Sequence, residues 1–359
     1  MGGGPPKETL LCLVPQEEPK DIVNALRKKF PDIDIIYHQI SFTHSLSTAR
    51  AEVPSHLWKN ATILCTFNSL PDKEEAPHLD WLQLLSAGSN HIQGTPLWKD
   101  DSVTITTASG IHGPQIAEWV VMTGLVQFHN YNQLYEMQKK HQWAKPKGGS
   151  TVRDRVGLRL GVLGYGSIGR QVGRVAKAMG MHVLAYTASP KDTKEKRRDG
   201  GYIVPGTGDE EGEVPEEWYS GLEKEKLHHF LKQDVDWLIV SVPLTEQTRH
   251  FLSDDEFEIL ARKKAFITNI ARGPIIDQSA LISALKDGKL RGAALDVTDP
   301  EPLPEDSELW DMENVTITPH VSGQGRSYTE RAFQVLEMNL ERRMNGEKLV
   351  NVVDRKRGY

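Results

Sequence analysis

Along the first hundred residues, short apolar runs alternate with polar stretches, and residues 10–14, 33–37, 62–67 and 82–85 have the length and content of buried strands. Between the first two, Ile22, Leu26 and Phe30 recur every fourth position and line one face of a helix that Pro31 stops. Gly113-Pro114 opens a long helical pattern through Glu118, Val121, Leu125, Phe128 and Leu134, predicted as one continuous helix connecting two domains. Beyond it the alternation is clearer, with strand candidates at 160–163, 182–186, 237–242, 265–270, 293–295 and 315–318. These six are predicted to form one parallel, doubly wound sheet, since helical stretches separate them. Ile168, Val172, Val175 and Met179 mark one such helix, ending at Gly180, and residues 277–285 another, ending before Gly288; both glycines suit a left-handed helix cap. Residues 191–226 break the rhythm with Gly, Pro and charge and are expected to be a solvated surface excursion. The last amphipathic stretch, 329–344, with Phe333, Leu336, Met338 and Leu340, is expected to return to the first domain, which is then discontinuous.

Composition narrows the class. The 359 residues, 38% hydrophobic and 26% charged, suit a folded protein of about two domains. A formal net charge of −6 argues against nucleic acid or an anionic membrane as the main partner. The two cysteines, Cys12 and Cys65, sit inside apolar runs and read as buried strand residues, so neither a disulfide framework nor a metal site is expected. No apolar signal core follows the N-terminus, and no apolar run approaches the roughly 18 residues of a membrane span. A cytoplasmic enzyme or binding protein is the expected class. The eight tryptophans, Trp143 included, are expected to be packing residues.

The strand at 160–163 runs into Gly164-Tyr165-Gly166-Ser167-Ile168-Gly169 and then into a helix, the order that dinucleotide phosphate recognition requires. Gly164 permits the tight turn, Gly166 lets the backbone approach a pyrophosphate, and Gly169 lets helix and strand pack closely. The N–H groups that open the helix, at Ser167 and Ile168, face the anion with the positive end of the helix dipole. At the end of the next strand, where a carboxylate would take the ribose hydroxyls of NAD and repel a 2′-phosphate, stands Thr187. Ser189 and Lys191 follow and offer a donor and a cation, so NADP is the expected cofactor, with NAD the alternative.

Three further segments follow strands of the same sheet, at the carboxyl ends where ligands collect: Asn269-Ile270-Ala271-Arg272-Gly273-Pro274, Asp296 to Pro304, and Thr318-Pro319-His320-Val321-Ser322-Gly323. With GYGSIG, these stretches resemble, in order, the signature motifs of the D-isomer-specific 2-hydroxyacid dehydrogenase family, its glyoxylate/hydroxypyruvate reductase-like members in particular. The resemblance implies an α/β fold of two Rossmann-like domains with doubly wound parallel sheets. A discontinuous substrate domain (1–112 and 329–359) then surrounds a dinucleotide-binding domain (113–328). It implies catalytic roles for three residues: Arg272 as substrate-binding cation, Glu301 as the carboxylate supporting the acid, and His320 as acid/base. It places Val242, Pro243, Thr248, Ile270, Ala271, Arg272, Asp296 and His320 beside the cofactor, Asp296 at the nicotinamide carboxamide. It assigns the substrate carboxylate to the loop with Ala87, Gly88 and Ser89, together with Arg272 and His320. A homodimer is implied as well.

The chemistry of 2-keto acid reduction is consistent with these assignments. As the carbonyl carbon takes up a hydride, charge grows on its oxygen, which needs a proton donor beside it and a cation on the carboxylate. An imidazolium has an ordinary pKa of about 6.5, and a neighbouring carboxylate favours its charged form. A guanidinium presents a planar fork of donors to a carboxylate. The expected function is therefore reduction of small 2-keto acids such as glyoxylate or hydroxypyruvate to D-2-hydroxy acids by NAD(P)H. Formate dehydrogenases of the same fold pair their histidine with glutamine, unlike Glu301. The alternative of a different kind is a nucleotide-sensing transcriptional corepressor, since such proteins resemble the same family.

Overall fold

The computed structural model describes residues 7–41, 50–145 and 152–358. The chain divides into two compact units, Met1–Ile111 with Arg326–Tyr359, and His112–Gly325.

The first unit holds a parallel sheet of β1 (Glu8–Val14), β2 (Ile33–Gln39), β3 (Ile63–Thr66), β4 (Trp81–Leu84) and β5 (Thr104–Thr106), in the order β2-β1-β3-β4-β5. Leu10 to Leu13 are fully buried, so β1 reads as a continuous apolar run, as a strand covered on both faces must. The three-residue β5, Thr-Ile-Thr, has too little apolar content to show in the sequence. Cys12 and Cys65 are buried and register-paired on β1 and β3. The C-terminal helix, Tyr328–Met344, buries Ala332, Phe333, Val335, Leu336, Asn339 and Leu340. A buried polar chain seats it: Trp81 Nε1 donates to Thr106 Oγ1 at 2.8 Å, and Thr106 Oγ1 donates to Gln83 Oε1 at 2.8 Å. Asn339 Nδ2 donates to the same Gln83 oxygen at 3.1 Å, and Val350 N donates back to Asn339 Oδ1 at 2.8 Å.

Among the described residues the second unit carries seven parallel strands rather than six. They are β6 (Arg159–Leu163), β7 (His182–Thr187), β8 (Glu217–Ser220), β9 (Trp237–Val240), β10 (Phe266–Asn269), β11 (Gly292–Leu295) and β12 (Val315–Ile317), in the order β12-β11-β10-β9-β6-β7-β8. Strand order reverses between β6 and β9, which sets the ligand-binding crevice of a doubly wound sheet at Gly164 and Ser241. The extra strand β8 comes from the 191–226 stretch. That stretch is no solvated excursion: Tyr202 and Asp209 are buried, and it ends in sheet pairing with β7. Its polar composition conceals this because the burial is achieved through hydrogen bonds rather than apolar side chains.

The connector is two helices, not one. Gly113–Phe128 buries Ile116, Ala117, Trp119 and Val120, but Asn130 adopts a left-handed φ of 54° and restarts the chain as Tyr131–Lys139, a helix with no buried residue. Helical spacing continues across the break, so the pattern alone does not show it. Trp143 likewise departs from the expected packing role and is fully exposed, whereas Trp58, Trp81 and Trp237 are core residues. Gly180 and Gly288 have positive φ, as helix caps require. Among the described residues no helix is long and apolar enough to cross a membrane.

Candidate active site

The three fingerprint glycines meet three different constraints. Gly164 has φ +103°, and a Cβ there would lie 2.6 Å from the backbone of Ser241 and Val242. At Gly169 a Cβ would lie 2.3 Å from the Gly164 carbonyl and 2.9 Å from Val162, so helix Ser167–Ala178 packs on β6 at a distance only glycine allows. At Gly166 a Cβ would meet no protein atom within 4 Å. Protein packing leaves Gly166 unconstrained, and a side chain there would project over the turn a pyrophosphate approaches. The helix begins on Gly166 with no side-chain cap, so the first N–H groups, Ser167 and Ile168 among them, are offered to an anion. Ser241, unmarked by the sequence reading, locks the turn by donating its hydroxyl to the Gly164 carbonyl at 2.6 Å. The residues present fit a bound dinucleotide.

Around this turn, Val242 and Pro243 leave β9 half-buried, and Thr248 is buried in the same loop. Thr248 Oγ1 donates to the Pro243 carbonyl at 2.7 Å and accepts from Thr245 N at 2.8 Å, so its hydroxyl holds the loop closed. At the end of β7 the Thr187 hydroxyl donates to the Ser189 carbonyl at 2.8 Å and Ser189 is exposed. Lys191 is half-buried; burial and the nearby Arg170 hold its pKa below the ordinary lysine value, against the opposing pull of Asp199.

On the other side of the sheet the three motif loops are tied together. Asn269, buried at the end of β10, accepts from Ala271 N at 3.1 Å and donates to the Arg272 carbonyl at 3.1 Å, which fixes the Ile270-Ala271-Arg272 turn. Arg272 is half-buried, with one guanidinium nitrogen 2.6 Å from the Ala271 carbonyl; burial lowers its pKa and Glu301 opposes that shift. A Cβ at Gly273 would fall 1.8 Å from the Thr298 carbonyl oxygen. Glycine is what lets the Arg272 loop lie against the loop that carries Glu301.

Asp296 is 2% exposed, and its carboxylate is fully engaged. It accepts from Thr318 Oγ1 at 2.6 Å, Val321 N at 2.9 Å and Ser322 N at 3.0 Å, and from the Ser322 hydroxyl, while its carbonyl accepts His320 N at 2.8 Å. These bonds brace His320, which has a left-handed φ of 54°. A residue with a side chain there costs roughly 1–2 kcal/mol, so the conformation persists because its surroundings impose it. His320 Nδ1 lies 2.7 Å from Glu301 Oε1, with the imidazole 45% exposed and the carboxylate 41% exposed. An ion pair so exposed adds only about 0–1 kcal/mol of stability. The contact orients the ring through Nδ1, and among the described residues no partner takes Nε2.

In the first unit, the loop after β4 turns on the Ser86 hydroxyl, which donates to the Gly88 carbonyl at 2.8 Å. Ser89 is buried and donates to the Gly358 carbonyl at 3.3 Å. Among the described residues no acceptor takes the backbone N–H of Ala87, Gly88 or Ser89. Adjacent unpaired N–H groups suit a carboxylate.

A family model described as D-isomer specific 2-hydroxyacid dehydrogenase, NAD binding domain, matches residues 121–205 and 208–322. The chain belongs to this family. Among curated relatives, a D-3-phosphoglycerate dehydrogenase of Methanocaldococcus jannaschii is 30% identical over 256 residues, covering 71% of this chain and 44% of that protein. A glyoxylate reductase of Thermofilum pendens is 26% identical over 88% of this chain and 86% of its own length. The chain spans about half the length of most of the curated relatives it matches. Among solved structures, an NADPH-dependent glyoxylate/hydroxypyruvate reductase of Sinorhizobium meliloti, in complex with NADP and sulfate, superposes with a TM-score of 0.73 at 25% identity, covering 98% of this chain and 100% of the other.

Proposed function

We propose that this 2-hydroxyacid dehydrogenase reduces small 2-keto acids, glyoxylate and hydroxypyruvate among them, with NADPH. The observation that carries the reading is the 2.7 Å contact of His320 with Glu301, on loops braced beside Arg272. NADPH, when bound along Gly164–Gly169, supplies the hydride. His320 protonates the growing alkoxide from Nε2, since Nδ1 faces Glu301, a role that typically contributes ~10²–10⁴-fold in rate. Glu301 holds the ring in place through Nδ1. Arg272 anchors substrate oxygens through its donor fork, and the N–H groups of Ala87, Gly88 and Ser89 take the carboxylate. Asp296, its carboxylate saturated within the protein, acts by bracing the His320 loop rather than by offering a free acceptor to the nicotinamide.

The absence of a carboxylate at Thr187 and the cation at Lys191 support NADPH over NADH, as do the NADP-bound relatives of this fold. Residues 113–328 take the dinucleotide and the two flanking segments the substrate, in the cytoplasm. The chain works as a homodimer, for which the exposed Tyr131, Leu134, Tyr135 and Trp143 provide an apolar surface. Glyoxylate, hydroxypyruvate and bulkier 2-keto acids assayed with both reduced cofactors test the whole. The parent is expected to oxidise NADPH with the small acids. His320→Ala is expected to lose turnover by 10²-fold or more while binding NADPH as the parent does. No turnover of any 2-keto acid by the parent would discard the reading.

A further inference from the structure

The 191–226 segment is tied to the fingerprint helix by a set of contacts that neither packing nor the reaction demands. Arg170, the residue after Gly169, is 4% exposed, and its guanidinium donates to the Asp209 carbonyl at 2.5 Å and to the Arg197 carbonyl at 2.5 Å, with Asp199 at 3.4 Å. Tyr165, between the first two fingerprint glycines, donates its hydroxyl to Asp209 Oδ2 at 2.9 Å. The Asp209 carboxylate also accepts Glu213 N at 3.0 Å and Val214 N at 3.2 Å, so one buried side chain organises the turn that returns to β8. Gly208 N donates to Gln171 Oε1 at 2.7 Å. Gly173 is part of the design: a Cβ there would lie 2.9 Å from the Tyr165 hydroxyl.

The connection continues to the end of β7. Arg197, whose carbonyl Arg170 holds, donates its Nε to the Lys191 carbonyl at 2.9 Å. Gly212, with φ +69°, packs so closely on Arg197 that a Cβ would lie 2.7 Å from it. The Lys191 backbone is thus held by Arg197, and Arg197 in turn by Arg170 on the helix that receives the pyrophosphate. Its ammonium has no carboxylate within 4 Å among the described residues, in contrast to Lys196, which pairs with Asp192 at 2.8 Å. Lys191 is a half-buried cation beside the buried Arg170, and the carboxylate that attracts it, Asp199, is itself engaged by Arg170 at 3.4 Å, which leaves the lysine an anion-seeking group.

We propose that Tyr165, Arg170 and Asp209 form a latch that positions Lys191 for the 2′-phosphate of NADP(H), so that the insertion sets cofactor choice through the fingerprint helix. These three are positioning residues; none needs to touch the cofactor phosphate. The inference rests on the reading of Lys191 as a 2′-phosphate cation, and its test separates the two. NADPH, NADH and 2′,5′-ADP are titrated by direct binding into the parent, Tyr165→Phe, Asp209→Asn and Lys191→Ala, with Tm recorded for each. Loss of a hydrogen bond to a charged group predicts that Lys191→Ala weakens NADPH and 2′,5′-ADP by roughly tenfold or more and leaves NADH unchanged. Tyr165→Phe and Asp209→Asn should show the same selective loss, smaller in size, and little further loss when combined with Lys191→Ala. If Lys191→Ala is selective and the latch variants bind NADPH as the parent does, the latch is overturned and the phosphate reading stands. Equal weakening of NADPH and NADH in the latch variants also overturns it, because the effect is then on the helix alone. If Lys191→Ala changes no affinity, both are overturned.

Discussion

At the scale of single residues, the site works by holding groups in conformations they would not choose. His320 sits at a left-handed φ because Asp296 takes its N–H and four donors of the surrounding loop, and the imidazole then meets Glu301. The pairing has a consequence for turnover. With Glu301 Oε1 at 2.7 Å from Nδ1, Glu301→Ala removes the partner that orients the ring, and misplacing a positioned group costs on the order of 10²-fold. Keto-acid reduction is expected to lose kcat by about that factor while NADPH affinity stays as in the parent. Steady-state kinetics and direct NADPH binding on the folded variant check this, and a parental kcat would refute the pairing.

Elements meet where glycine permits. Gly273 brings the loop after β10 against the loop after β11, with the Thr298 carbonyl in the space a Cβ would take. Gly273→Ala must push the loops apart, and overpacking of this kind costs about 1–3 kcal/mol. The larger effect falls on catalysis, since displacing a positioned group by an ångström costs on the order of 10²-fold. We expect kcat/KM for glyoxylate to drop by that order while NADPH affinity stays within a few-fold, because the fingerprint turn lies across the sheet. Kinetics with parental kcat/KM would show that Arg272 is not positioned by this contact. The connector teaches a related lesson: Asn130 turns one helix into two although the apolar spacing runs on.

On the scale of the whole molecule, the C-terminal helix belongs to the first unit because Asn339 completes a buried polar chain with Gln83, Thr106 and Trp81. Asn339→Leu leaves the Val350 amide and part of Gln83 without partners, and each buried orphan costs about 1–3 kcal/mol. The variant is expected to unfold at lower urea concentration than the parent, with amides of Tyr328–Met344 losing hydrogen-exchange protection first. Unaltered protection would mean that Phe333, Leu336 and Leu340 seat the helix unaided.

The sequence by itself determined most of the buried strands, the fingerprint and the motif loops, because a parallel sheet buried on both faces must be written in apolar runs and its phosphate turn in glycines. Thr187, Arg272, Glu301 and His320 stand out in the sequence because each ends or follows a strand of one series, and the structure sets Glu301 against His320. Contacts between distant stretches were decided only by tertiary structure. The seventh strand, the burial of Asp209 under Tyr165, the saturation of Asp296 and the exposure of Trp143 leave no periodic trace, since hydrogen bonds between residues tens of positions apart are satisfied by geometry and not by local composition.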